Sequence, residues 1–146
     1  AALAAATADN TVLPGSAVDR ARIRQYAEII NSGIQPLQNL SVLGRIEGLG
    51  QDKADWGAHF IARGFDALET LAAQTAGDYL LGDAVTMAEA CLIPQAYNAR
   101  RFLLDMETWP TLARVEAHCA ELPAFRAAHA DQQVDAVQEG RRAGSD

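Results

Sequence analysis

The chain has 146 residues, 49% of them hydrophobic and 21% charged, which suits one domain around a single core. A formal charge of −7, from 12 basic and 19 acidic residues, argues against a general nucleic-acid binder, and no apolar run is long enough to cross a bilayer. An anionic small substrate stays compatible, because a cleft on an acidic protein can be locally basic.

Residues 1–15 end in Leu13-Pro14-Gly15, a turn signal, and are expected to form a linker or flexible N-terminus. Residues 1–8 are Ala-rich but lack a basic leader and a long aliphatic stretch, so no signal peptide is expected and the cytoplasm is favoured. Ser16 with Asp19 can cap a helix. Ile23, Tyr26, Ile30, Ile34, Leu37, Leu40 and Leu43 then recur every three or four residues, as one buried helical face does. Gly33 and Pro36 interrupt it and predict a kink or break. Gly44, Gly48 and Gly50 read as a flexible connection. Asp52 is the next N-cap, before a stripe of Trp56, Phe60, Gly64, Leu68, Leu71 and Ala72. Gly64 within a helix points to close helix–helix contact.

Gly77-Asp78 and the turn through Leu80-Leu81-Gly82-Asp83 come next. Thr86 with Glu89 forms a capping-box pattern for a helix running from Met87 to about Leu104, with Pro94 bending it. Pro110 opens a helix carrying Leu112, Val115 and Cys119, and Pro123 opens a shorter one through Phe125. Residues 140–146 read as a frayed tail. No strand-period segment and no internal repeat is present. The fold class is all-α, a bundle of about five helices.

Two segments put polar groups and a proline into a helical apolar pattern. In the first, Gln35, Gln38, Asn39 and Ser41 cluster around the break. They can repair the interrupted helix locally or reach into a cleft. In the second, Gln95, Asn98 and Arg101 are spaced three apart and share a face. Arg101 offers a forked donor set suited to a carboxylate, or an ordinary ion pair with Asp105. Arg100 points elsewhere and is expected to be solvated. Cys91 and Cys119 lack metal or redox spacing and read as buried free thiols. His59, His118 and His129 are scattered, so no metal site is expected.

Residues 31–43, residues 82–95 and Asn98-Ala99-Arg100-Arg101-Phe102 together resemble the helical C-terminal domain of zeta-class glutathione transferases, the maleylacetoacetate isomerases. The similarity spans most of residues 19–136, and Gln35-Pro36-Leu37-Gln38-Asn39-Leu40 makes it specific to that class. It implies a glutathione-transferase C-terminal-type domain over residues 16–137, with residues 138–146 a flexible tail. It implies glutathione as cofactor, contacted by Gln35, Asn39, Leu40 and Ser41, and a small dicarboxylate substrate held by Arg101. The implied reaction is glutathione-dependent cis–trans isomerisation of maleylacetoacetate to fumarylacetoacetate.

The family's thioredoxin-like N-terminal domain, with its Ser-Ser-Cys motif, has no counterpart in this sequence. The chain is therefore expected to hold no catalytic nucleophile and to be inactive alone. That domain is the expected partner, within a homodimer and without nucleic acid or membrane. Maleylpyruvate isomerase or another glutathione transferase activity is an alternative, although that branch has a His-Pro-Leu-Asn-Asn type segment where this chain has Gln35-Pro36-Leu37-Gln38-Asn39. A non-catalytic, transferase-like interaction module is the other alternative. Such a module would have no need of Gln35, Asn39, Ser41 and Arg101.

Overall fold

The computed structural model describes residues 12–134; residues 1–11 and the expected tail at 138–146 lie outside the described residues. The described residues form six α-helices and three short 3-10 turns, with no strand and one isolated bridge between Ala76 and Gly82. Helix α1 (Ala17–Asn31) starts at a complete capping box. The Ser16 hydroxyl accepts from the Asp19 N–H at 3.2 Å, and the Asp19 carboxylate accepts from the Ser16 N–H at 2.9 Å. Ahead of it, the Val12 carbonyl accepts from the Met87 N–H at 2.9 Å and Leu13 packs against the core.

The interrupted apolar stretch is two helices rather than one bent helix. α1 ends at Asn31, a 3-10 turn covers Gln35–Gln38, and α2 spans Leu40–Gly48. The break rotates the register. Ile23, Tyr26, Ile30 and Ile34 are buried as expected, but Leu40 is 85% exposed and Leu43 is the α2 residue that turns inward. Gly44 and Gly48 lie inside α2 instead of forming a connection. The turn comes at Gly50, at φ +74, where the Gln51 N–H reaches the Ile46 carbonyl at 3.2 Å. That is a Schellman end with glycine at its left-handed position.

Helix α3 (Lys53–Ala72) is capped by Asp52 and buries Gly57, Ile61, Phe65, Leu68 and Ala72. This face is one residue away from the expected Trp56–Phe60–Gly64 stripe. The reason lies in the neighbours: Gly57 receives the ring of Phe102, and half-exposed Trp56 donates its indole N–H to the Leu37 carbonyl at 2.9 Å. Gly64 does allow close approach, since a Cβ there would lie 2.4 Å from Ile34.

Helices α4 (Met87–Arg101), α5 (Pro110–Glu121) and α6 (Pro123–Ala128) complete the bundle. α1 lies along α4, α4 packs on α5, and α3 touches both α1 and α5. Two carboxylates of α3 fix the start of α5. Asp66 accepts from the Trp109 indole at 2.8 Å, and Glu69 accepts from the Thr111 and Leu112 N–H groups at 2.9 and 3.0 Å. These are donors that a helix start leaves free. No helix among the described residues is long and apolar enough to cross a membrane.

Candidate functional site

α4 runs through Pro94 and ends at Arg101, one turn short of the expected Leu104. Its end is another Schellman motif: the Leu103 N–H bonds the Arg100 carbonyl at 2.9 Å and the Leu104 N–H bonds the Ala99 carbonyl at 3.1 Å. A leucine holds the left-handed position, with φ 59, and is 93% exposed. Phe102 turns back onto Gly57, where an added Cβ would stand 2.1 Å from its ring. The turn thus leaves Arg101 in the last turn of the helix, exposed.

The two adjacent arginines differ in their partners. Arg100 is not simply solvated. It forms a two-pronged pair with Glu116 of α5, at 2.5 and 2.8 Å, and this pairing holds its guanidinium above the ordinary range. The Arg101 side chain has no hydrogen bond or ion pair among the described residues. The alternative pair with Asp105 does not form. The helix has already ended, and Asp105 instead caps the 3-10 turn Met106–Thr108, accepting from the Glu107 N–H at 3.0 Å.

The polar residues at the α1–α2 junction divide the same way. Asn39 is the N-cap of α2, its carbonyl oxygen accepting from the Ser41 N–H at 3.0 Å and the Ser41 hydroxyl at 2.8 Å. That is the local repair read from the sequence. Its amide nitrogen, the exposed Gln35 side chain and the half-buried Asn98 side chain have no partner among the described residues. Gln38 and Gln95 find each other. Gln38 Nε2 donates to Gln95 Oε1 at 2.7 Å, and Gln95 Nε2 donates back at 3.2 Å. Both residues stood out in the sequence as polar groups in an apolar pattern; their pairing did not.

Neither cysteine is prepared as a nucleophile. Cys119 is buried, and its burial pushes the thiol up to about 12. Cys91 is half-buried rather than buried; burial raises its thiol although Asn31 Nδ2 donates to the sulfur at 3.5 Å. Thiolate is therefore scarce at both near neutral pH. No cluster of His, Cys, Asp and Glu among the described residues could hold a metal ion.

The Gln35 side chain, the Asn39 amide nitrogen and the Arg101 guanidinium are thus exposed polar groups without a partner among the described residues. The fold and sequence have known counterparts. The chain is 45% identical over 129 residues to a probable maleylacetoacetate isomerase of Drosophila melanogaster, covering 88% of this chain and 56% of that protein. It matches a crystal structure of the maleylacetoacetate isomerase of Anaeromyxobacter dehalogenans, solved with dicarboxyethyl glutathione and citrate in the active site. There the TM-score is 0.85 at 48% identity, over 91% of this chain and 61% of that one. The chain belongs to the zeta-class glutathione transferase family.

A maleylpyruvate isomerase of that class, a bacterial glutathione transferase, superposes with a TM-score of 0.82 at 37% identity, over 86% of this chain and 62% of that one. No family model matches the chain. The chain spans a little over half of the length of the curated relatives it matches, and its all-helical fold is that of the C-terminal domain of zeta-class glutathione transferases.

Proposed function

We propose that this chain is the substrate-side domain of a glutathione-dependent cis–trans isomerase, with maleylacetoacetate as the substrate. The observation that carries the reading is selective openness. Neighbouring polar groups of the two segments are closed on each other, while the Gln35 amide, the Asn39 amide nitrogen and the Arg101 guanidinium have no partner among the described residues.

The residues present fit glutathione. A tripeptide offers carboxylates and amides, which the Asn39 and Gln35 amides can meet, with exposed Leu40 as an apolar wall and the Ser41 oxygen as a further acceptor. When bound, glutathione supplies a thiol that adds reversibly to an activated double bond and so permits rotation about it. Arg101 would receive a substrate carboxylate in a two-pronged contact and fix the olefin's orientation. Its charge also favours the electron density that builds on the adjoining carbonyl oxygen. Since both thiols are raised by burial, this chain's own residues position rather than attack. A thioredoxin-like domain would then complete the site within a cytoplasmic homodimer, and this chain would be inactive alone.

The test uses a two-domain protein in which a zeta-class thioredoxin-like domain precedes residues 1–146. It should bind S-hexylglutathione by calorimetry and isomerise maleylacetoacetate. Gln35→Ala should weaken the glutathione analogue by roughly five- to tenfold, the worth of one hydrogen bond. Wild-type protein that neither binds the analogue nor turns over would favour a non-catalytic module. Turnover of maleylpyruvate in preference to maleylacetoacetate would favour the related branch.

A further inference from the structure

The Gln38–Gln95 pair has no assigned part in binding or chemistry, yet it links the turn beside Gln35 and Asn39 to the helix that ends at Arg101. Gln38 closes the 3-10 turn, with Gln35 at the start of that turn and Asn39 immediately after it. Gln95 is on α4, six residues before Arg101, a rise of roughly 9 Å along the helix. Gln95 is only 1% exposed. A buried amide without a partner is costly, so the packing alone would favour an apolar residue there. The chain instead has two amides that exchange hydrogen bonds in both directions.

Such a ring is directional. An apolar contact at this point would tolerate sliding of the turn along α4, whereas two opposed N–H to oxygen contacts fix both distance and twist. Two other ties precede it: Asn31 reaches Cys91, one turn earlier on α4 than Gln95, and the Leu37 carbonyl is held by Trp56. Gln38 is thus the last fixed point before the proposed glutathione contacts at Asn39, Leu40 and Ser41.

We propose that the Gln38–Gln95 amide pair is a positioning device that holds the glutathione-contacting segment in register with the helix presenting Arg101. The proposal rests on the functional reading above. Neither amide touches substrate; each acts through the residues beside it. Displacement of one reactant against the other by about an ångström is enough to cost up to a hundredfold in rate.

The experiment compares Gln38→Leu and Gln38→Glu in the two-domain protein, with kcat, both KM values, S-hexylglutathione affinity and the thermal midpoint. Gln38→Leu removes both hydrogen bonds. Gln38→Glu keeps an acceptor for Gln95 Nε2 at a half-buried position. Gln38→Leu should lower kcat about tenfold and weaken the glutathione analogue by a similar factor, with the KM for maleylacetoacetate within about threefold. Gln38→Glu should recover most of both losses. A lower midpoint with unchanged kcat and affinity would overturn the proposal, because the pair would then be structural only. A Glu variant no better than the Leu variant would overturn it too. If wild type binds the analogue but does not isomerise, the functional reading fails while the affinity arm still decides the pair. If wild type binds nothing, both fall.

Discussion

At the start of α4, Glu89 is fully buried and accepts three hydrogen bonds: from the Leu80 N–H at 2.8 Å, and from the Thr86 N–H and hydroxyl, each at 2.7 Å. At its end, Asn98 and Arg101 hold comparable polar capacity and close none of it within the described chain. Both ends are legible as polar residues in an apolar helical pattern. They differ in what happens when water is removed. Donors buried at the start must be satisfied by the chain itself, so their residues are structural. Donors at the end remain in contact with solvent, so they are free to serve a ligand. Arg100 and Arg101 repeat the contrast within one dipeptide.

Truncation at the closed end should have the largest effect. Glu89→Ala strands the Leu80 and Thr86 N–H groups in the core. With about 1–3 kcal/mol for each buried unsatisfied donor, the loss should reach about 3 kcal/mol or more in urea denaturation. In the two-domain protein, molecules that remain folded should bind S-hexylglutathione as tightly as wild type. A loss under 1 kcal/mol would mean that the closed end is not holding α4.

Next is the contact that seats the junction against α3. Gly64→Ala gains about 1 kcal/mol of helix propensity but drives a methyl into the tip of Ile34, which a Cβ would approach to 2.4 Å. Overpacking of this kind costs about 1–3 kcal/mol, so net destabilisation is expected in thermal unfolding. Net stabilisation would show that Ile34, and the turn that follows it, can move freely.

The open end carries a smaller and opposite effect. Leu103 occupies a left-handed position that glycine fills at the corresponding end of α2. Leu103→Gly should stabilise the chain by up to about 1 kcal/mol by relieving the Cβ clash. Destabilisation would reveal a contact of Leu103 that offsets the strain.

The smallest effect separates two capping boxes by pH. Burial raises the Glu89 carboxyl above its ordinary 4.5. Its contribution is therefore complete below that value and declines as pH rises through the folded value. Asp19 is the reverse. Hydrogen bonds from the Ser16 side chain and backbone lower its carboxyl below 3.8, so its contribution is present above 3.8 and lost as pH falls through the lowered folded value. Ser16→Ala should alter only the acid limb of a stability–pH curve, and Glu89→Gln only the limb above pH 4.5. The opposite pattern would contradict the burial difference between the boxes.

Both capping boxes, the Asp52 cap, the proline-led starts of α5 and α6 and the contact at Gly64 were legible in the sequence, because each depends on residues a few positions apart or on one residue's volume. The register of α3 was not. Its buried face is decided by Phe102 on Gly57 and by the Leu37 carbonyl beneath Trp56, partners 45 and 19 positions away. The exposure of Leu40 follows from how far the chain turns between α1 and α2, which periodicity cannot measure. At the site, single residues could be picked out as polar in an apolar pattern. Which of them close on each other, as Gln38 does on Gln95 and Arg100 does on Glu116, depends on helix packing.

The most direct test of the open end compares Arg101→Lys with Arg100→Lys in the two-domain protein. Lysine keeps the charge and removes the planar fork. Arg101→Lys should lower kcat/KM for maleylacetoacetate by roughly ten- to a hundredfold, the worth of one charged hydrogen bond, with glutathione affinity unchanged. Arg100→Lys should lower stability by about 1 kcal/mol or less, through its pair with Glu116, and leave kcat/KM within about twofold. Equal losses of kcat/KM in the two variants, or a loss at Arg101 confined to glutathione affinity, would contradict the assignment.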